Sequence, residues 1–547
     1  RTSPTNIAMG LLATLAARDL GFIEAPEVLD RVERALNTLD GLEKHEGHLL
    51  NWYDTASLAP LQPRYVSTVD SANLAGALMA LAAGLRRLEP LSAEGFRHGA
   101  AVADTLALLR KSLDRIPAAG APGSFRERLA PALQEVEAYE LRRAAVRPDT
   151  PPLDGAGRAL AEALQVADLD PLDGPEAEEA AFWGDALVRL LRRPDPGHSQ
   201  EGWHERRSAL AARAEALADG MDFTFLYDKD RRIFSIGYRI ADMEGPGRLD
   251  PSYYDLLASE ARLASFVAIA KGDVPPEHWF QLGRALVGVA GVPTLVSWSG
   301  SMFEYLMPLL LMRDYPDTLL QRSCDAAVRA QIQYARIRGV PWGISESAYN
   351  QVDRHGNYQY KAFGVPELGL KRGLSEELVI APYATALASM VDPVEATANL
   401  KRLARAGAEG AFGFYEALDY TPREIEKEEV GAVLNDRRQP AVVRAYFAHH
   451  QGMSLVALAN AVLHDPMVAR FHSEARVQAT ELLLQERVPR FVPVTRPRPV
   501  EMTHLSAPVL PLVPRRFRTP HTRYPHAGIL SNGRYIATVS NSGGGGS

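Results

Sequence analysis

Eight apolar segments crowd the second half of this chain, and they constrain its fold more than any other feature. They run at about 254–271, 276–290, 302–312, 316–337, 376–391, 394–407, 440–462 and 475–487, and their periodicity predicts helices. Helices apolar around most of their circumference must bury that surface against other helices. No strands alternate with them, which argues against a parallel α/β sheet and favours concentric helix pairs, an α/α toroid. Residues 7–40 also read as helical, with Ile7, Leu11, Leu12, Leu15 and Ala16 at helix spacing. Residues 85–220 are Ala-, Leu-, Arg- and Glu-rich amphipathic helices and read as outer scaffold. Around 221–240, Phe223, Phe225, Tyr227, Ile233, Ser235, Ile236 and Tyr238 predict a small β-hairpin insertion, broken by Asp228-Lys229-Asp230. Beyond about 490 the chain turns Pro- and Arg-rich and ends in short strand-like pieces.

The 547 residues suit one large toroid or two to three domains. A net charge of −7 offers no attraction to nucleic acid or anionic lipid. Cys324 is the sole cysteine, so neither an intrachain disulfide nor a multi-cysteine zinc site can form. No run reaches the roughly 18 apolar residues of a membrane span. Phosphate-binding glycine loops and a Gly-x-Ser-x-Gly elbow are absent. His449 and His450 are adjacent, so on a helix they point about 100° apart, and no third ligand has a fitting spacing. No metal or other cofactor is expected.

Four glutamates stand in settings that disfavour a free carboxylate. Glu260 shares its predicted helix face with Leu256, Leu257, Leu263, Ala264 and Val267. Burial there raises the affinity for a proton and suits a general acid, or else the group is a structural Glu bonded to a helix end or an Arg. Glu304 repeats the pattern beside Met307, Pro308 and Leu311, and follows Trp298-Ser299-Gly300-Ser301. Glu346 lies in a loop, Val340-Pro341-Trp342-Gly343-Ile344-Ser345-Glu346-Ser347-Ala348-Tyr349-Asn350, with Tyr358 and Tyr360 close behind. Glu416 sits in Gly413-Phe414-Tyr415-Glu416-Ala417-Leu418-Asp419-Tyr420. Aromatic faces beside acid groups are what oligosaccharides need, because a pyranose offers apolar C–H faces and hydroxyl edges. Structural packing is the other reading of these loops.

Taken in order, several long runs resemble the glycoamylase-like middle region of bacterial cyclic β-1,2-glucan synthases. They include Gly47-His48-Leu49-Leu50-Asn51-Trp52-Tyr53-Asp54-Thr55, Pro63 to Ser71, Ser252 to Arg262, Trp298 to Pro308, Gly339 to Asn350, Gly413 to Tyr420, and Ala448-His449-His450-Gln451-Gly452-Met453-Ser454. The resemblance covers about 1–490 and is loose over 85–220; Ala72 and Ala77 stand where the family pattern has Gly and His. It implies a mainly α (α/α)6 barrel over 1–490, followed at 491–547 by a linker and the start of a phosphorylase-like domain. It also implies a linear β-1,2-glucan substrate closed into a ring by transglycosylation. The partners would be the membrane glycosyltransferase and phosphorylase-like regions of a parent synthase, at the cytoplasmic face of a bacterial inner membrane.

By the same resemblance Glu260 and Glu346 are the catalytic pair, with Glu260 as acid/base and Glu346 as nucleophile; the opposite assignment stays open. A covalent glycosyl-enzyme implies retention, with carboxyls about 5 to 5.5 Å apart, against roughly 6.5 Å or more for inversion. Trp52, Asp70, Trp298, Glu304, Trp342, Tyr349, Tyr358, Tyr360, Glu416, Tyr420 and His450 are assigned to glucan subsites. Two other readings compete: an endo-β-1,2-glucanase on the same fold, and a non-catalytic glucan-binding domain.

Overall fold

The computed structural model describes residues 1–89, 95–116, 125–145, 160–162, 174–191, 202–241, 245–421, 439–489 and most of 519–546. The chain divides into two compact units, Arg1–Arg496 and Pro497–Ser547. In the second unit, strands Ala527–Ser531 and Ile536–Ser540 pair antiparallel.

In the first unit, inner helical segments close a ring. Pro4–Asp19 packs on Thr68–Arg86, and Thr68–Arg86 packs on Arg262–Lys271. The Arg262 guanidinium carries the ring onward by donating to the Glu304 carbonyl (2.7 Å) and the Tyr305 carbonyl in Met302–Leu306. That segment packs on Pro382–Ala388, which packs on Ala448–Leu463, and Ala448–Leu463 returns to Pro4–Asp19. Outer helices back this ring: Ala25–Gly41 behind Pro4–Asp19, Trp203–Asp219 behind Thr68–Arg86, Leu319–Arg338 behind Met302–Leu306, and Pro393–Arg405 behind Pro382–Ala388. This is an α/α barrel with small sheets.

Sequence explains the two layers. The inner helix Thr68–Arg86 is built of Ala, Leu and Gly and is buried on nearly every side. Against the expectation that no run reaches such a length, it is long and apolar enough to cross a membrane, yet 83% of that stretch is buried within the fold. The outer helix Ala25–Gly41 buries only a stripe, Val28, Leu29, Val32, Leu36 and Leu39, as a helix with one wet face does. Within residues 85–220, Gly95–Arg115 and Gly174–Leu191 pack together around a separate apolar cluster. Much of that stretch lies outside the described residues.

Several expected helices are interrupted by strands. In the expected helix 276–290, only Glu277–Gln281 is helical; Leu286–Val289 and Val292–Leu295 form an antiparallel hairpin. Its turn is Ala290-Gly291, both at positive φ (47° and 83°), and its Val-rich strands suit a pleated sheet. Helix 376–391 shortens to Pro382–Ala388 behind the strand Val379–Ile380, and 440–462 splits into the strand Ala441–Val443 and the helix Ala448–Leu463. The expected insertion is present as the hairpin Tyr227–Asp228 with Ile233–Ser235, and a third strand, Tyr253–Tyr254, joins it.

Candidate active site

The first turns of the inner segments meet at one end of the barrel. Thr5 donates from its backbone N (3.3 Å) and its hydroxyl (2.5 Å) to Asp70, so the N-termini of Pro4–Asp19 and Thr68–Arg86 are joined. Asn6 bonds His449 (3.0 Å), joining the first of these to Ala448–Leu463. Tyr383, in the first turn of Pro382–Ala388, stacks on His450 at 3.7 Å and 8°. Helix N-termini carry free N–H groups and partial positive charge, which tolerates a concentration of carboxyls there.

Glu260 is not on a helix. It occupies a turn between the strand Tyr253–Tyr254 and the helix Arg262–Lys271, with the carboxyl half-buried. The apolar neighbours that suggested a continuous helix belong to two elements: Leu263, Ala264 and Val267 lie on the helix, while Leu256 and Leu257 lie in the bend before it. Arg262 holds the turn by donating to the Ser259 carbonyl (3.1 Å). The Ser259 hydroxyl donates to Glu260 (3.2 Å). Burial, and next the charge of Glu304, push the Glu260 carboxyl up to about 7.

Glu346 is in the expected loop, directly before the strand Ser347–Val352. Tyr383 donates to its backbone carbonyl (2.9 Å), and Ser345 bonds the same phenol (2.8 Å). The carboxyl is half-buried. Burial holds it well above the usual carboxylate range, followed by the charges of Glu260, Glu304, Asp70 and Glu416. Both carboxyls are thus partly open yet strongly desolvated, and desolvation favours the protonated form.

Two other acids have buried duties. Glu304 is 7% exposed. It accepts from the hydroxyls of Ser297 (3.0 Å), Ser299 (2.5 Å) and Ser301 (2.9 Å). It also accepts from the backbone N–H groups of Trp298 (3.0 Å), Ser299 (3.1 Å) and Ser301 (3.0 Å). With its lone pairs so occupied, it fastens the Ser297–Ser301 loop and has little capacity left for a sugar. That loop presents Trp298, which is 47% exposed and donates its indole N–H to Asp255 (2.9 Å). Gly364 lets the neighbouring chain lie against this loop, since a Cβ there would sit 1.9 Å from the Ser299 carbonyl oxygen.

Glu416, 2% exposed, accepts from the Ala348 N–H (3.1 Å) and meets His450 Nδ1 (3.0 Å). Burial pushes Glu416 up to about 7 and His450 down to about 3. The other nitrogen of His450 lies 3.4 Å from the hydroxyl of Tyr360, whose side chain stands 42% open. Glu260, Glu346, Asp70, Glu304, Glu416, His450 and Tyr360 therefore belong to one electrostatic neighbourhood.

The remaining assignments divide. Tyr349 is half-buried, edge-on to Phe363 at 5.5 Å, and Tyr358 packs partly buried against the core. Trp52 lies under the Arg1 guanidinium at 4.5 Å. Trp342 and Tyr420, expected as sugar platforms, are 2% and 8% exposed and lack an open face; Trp342 instead anchors Asn399 and Thr385 through its backbone. Tyr254, Tyr383, Asp255 and Arg262 went unselected. Tyr383 could have been found as the lone phenol at the start of an Ala-rich helix, Pro382-Tyr383-Ala384-Thr385-Ala386.

Comparison with known proteins agrees with this architecture. Residues 252–474 match the Glycoamylase family model. The chain is 40% identical, over 566 aligned residues and its whole length, to the cyclic beta-(1,2)-glucan synthase NdvB of Rhizobium meliloti (strain 1021), and spans 19% of that protein. Among solved structures, an endo-beta-1,2-glucanase from Chitinophaga pinensis is similar with a TM-score of 0.53, 13% identity and coverage of 88% of this chain and 87% of that one. An endo-beta-1,2-glucanase from Talaromyces funiculosus gives a TM-score of 0.54 at 12% identity, with coverage of 91% and 84%. At such identities these two speak for the fold alone. The chain is thus a relative of one segment of a cyclic β-(1,2)-glucan synthase, matches the Glycoamylase family model over 252–474 and folds as an α/α barrel.

Proposed function

We propose that this domain closes linear β-1,2-glucan into rings by anomer-retaining transglycosylation. The observation that carries the reading is the pair Glu260 and Glu346, two partly open carboxyls with raised proton affinity, the charge of the first bearing on the second. The similarity to a cyclic β-(1,2)-glucan synthase supports the substrate class.

Glu346 acts as nucleophile. Its carboxylate bonds to the anomeric carbon as the bond from that carbon to the leaving sugar oxygen breaks, and Glu260 donates its proton to that oxygen. The free hydroxyl at the far end of the same chain then attacks the anomeric carbon. Glu260 takes up the hydroxyl proton, the enzyme ester breaks, and Glu346 is released. Two inversions restore the β-configuration. A Glu260 carboxyl near 7 suits a group that must give and regain a proton at neutral pH. Trp298 supplies an open aromatic face for a pyranose.

In this reading the domain works within a parent synthase, beside a membrane glycosyltransferase and a phosphorylase-like region whose start is residues 491–547. It lies on the cytoplasmic face of a bacterial inner membrane. Hydrolysis is the second reading, with water in place of the sugar hydroxyl as acceptor on the same fold. Incubation with long linear β-1,2-glucan tests both. Rings with unchanged reducing ends support ring closure, whereas net growth of reducing ends refutes it. Unaltered product formation by the parent synthase carrying Glu260→Gln and Glu346→Gln would leave this domain only a binding role.

A further inference from the structure

Glu346 poses a problem that its surroundings also answer. A nucleophile must be ionised, yet Glu346 is desolvated and faces the charges of Glu260, Glu304, Asp70 and Glu416. Tyr360 pairs with Ala348 across the hairpin, two residues along the facing strand from Glu346, and the charge of Glu346 bears on its buried phenol. Behind Tyr360 stands His450, 3.4 Å from the phenol oxygen, and behind His450 stands Glu416 at 3.0 Å. The imidazole is 1% exposed, stacked on Tyr383 at 3.7 Å and lined on its other neighbours by Phe447 at 5.9 Å and His449 at 4.1 Å. Lys361, next to Tyr360 along the strand, is already paired with Glu377.

We propose that Glu416, His450 and Tyr360 form a proton relay whose setting decides whether the Tyr360 hydroxyl donates to the Glu346 carboxylate. The proposal rests on Glu346 being the nucleophile. Burial keeps His450 neutral, with one N–H to place. When Glu416 is protonated, its O–H donates to Nδ1, the Nε2–H donates to the Tyr360 oxygen, and the phenolic hydrogen is free for Glu346. When Glu416 is ionised, it accepts from Nδ1–H, Nε2 accepts from Tyr360, and the phenolic hydrogen turns away. One proton, exchanged with solvent at the open Tyr360 end, distinguishes the settings. The three residues are positioning residues: they make the nucleophile available without reacting.

The test is the pH dependence of kcat on linear β-1,2-glucan for the full chain, Tyr360→Phe, Glu416→Gln and the double variant, with melting curves for each. Tyr360→Phe should lower kcat on the order of tenfold, the worth of one hydrogen bond to a charged group, and move the acidic limb upward. Glu416→Gln mimics the protonated state, accepting from Ala348 and donating to Nδ1. It should keep kcat below pH 7 and make the alkaline fall shallower. The double variant should match Tyr360→Phe alone, because one pathway is cut twice. An unmoved acidic limb in Tyr360→Phe, or effects that multiply in the double variant, would overturn the relay. Tyr360 stands on the open side, so its variant reports even if Glu416→Gln melts early. If Glu346→Gln keeps the wild-type rate, the nucleophile assignment falls and the relay with it. If Glu346→Gln is inactive but Tyr360→Phe leaves the limb unmoved, the relay alone falls.

Discussion

Replacing Glu304 by Gln removes one charge and one acceptor atom while keeping the shape, and its effects can be worked out from the loop it fastens. Six groups donate to this carboxylate. An amide has one oxygen, and its best placement serves the crowded side, where the three serine hydroxyls bond. The NH2 then faces the backbone N–H of Trp298, which points at the other oxygen, while the Ser299 N–H also reaches the retained one (3.2 Å). One part-buried donor is left without its acceptor and the other keeps a single bond, so the loss should be about 1–3 kcal/mol. A domain of ordinary stability survives that loss but is visibly weakened. Urea unfolding at pH 7 measures it. The same change removes the charge that, after burial, most raises Glu260. The acid then gives up its proton at lower pH, and the alkaline limb of kcat should move downward. A stability loss below about 1 kcal/mol, together with an unmoved alkaline limb, would refute both the anchoring role and the electrostatic link.

Three further outcomes are expected. Arg262→Leu strands the carbonyls of Ser259, Glu304 and Tyr305, should destabilise the barrel by about 3–5 kcal/mol in urea, and should lower kcat more than it raises KM because Glu260 loses its support. Glu260→Gln should be increasingly more stable than the wild type as pH rises from about 4.5 to about 7, by up to about 3 kcal/mol. The sign follows because the folded carboxyl holds its proton in that window while the unfolded one has lost it, so the wild type weakens and the variant does not. Gly364→Ala places a Cβ against the Ser299 carbonyl and should weaken glucan binding through Trp298, read as a several-fold rise in KM with a smaller change in kcat.

The acids were the legible part of the site because a carboxylate among apolar or aromatic residues is conspicuous in one dimension. Their duties were less so. Ser301 and Glu304 form a capping box, a local signature that could have marked Glu304 as an anchor, but the other serines converge on it only through the fold of the loop. The apolar run around Leu286 to Val292 fitted a helix until Ala290-Gly291 turned it into a hairpin, and strictly local periodicity does not separate those outcomes for short stretches. Trp342 and Tyr420 looked like platforms because composition reports residue type and not exposure. The relay could not be seen at all: Glu416 and His450 are 34 residues apart, and Tyr360 and His450 are 90 apart.

The helix Pro4–Asp19 lies between Thr68–Arg86 and Ala448–Leu463, and His449 reaches back to Asn6 across 443 residues. A chain emerging from the ribosome can therefore complete its helices one after another and still have no working chamber. His450 and the last wall arrive only with the Ala448–Leu463 segment, after a loop closure that spans most of the unit. Assembly itself acts as a timer. Truncated or half-made chains carry Glu260 and Glu346 but not His450, so on the proposed reading glucan chemistry would begin only once the two ends of the barrel have met.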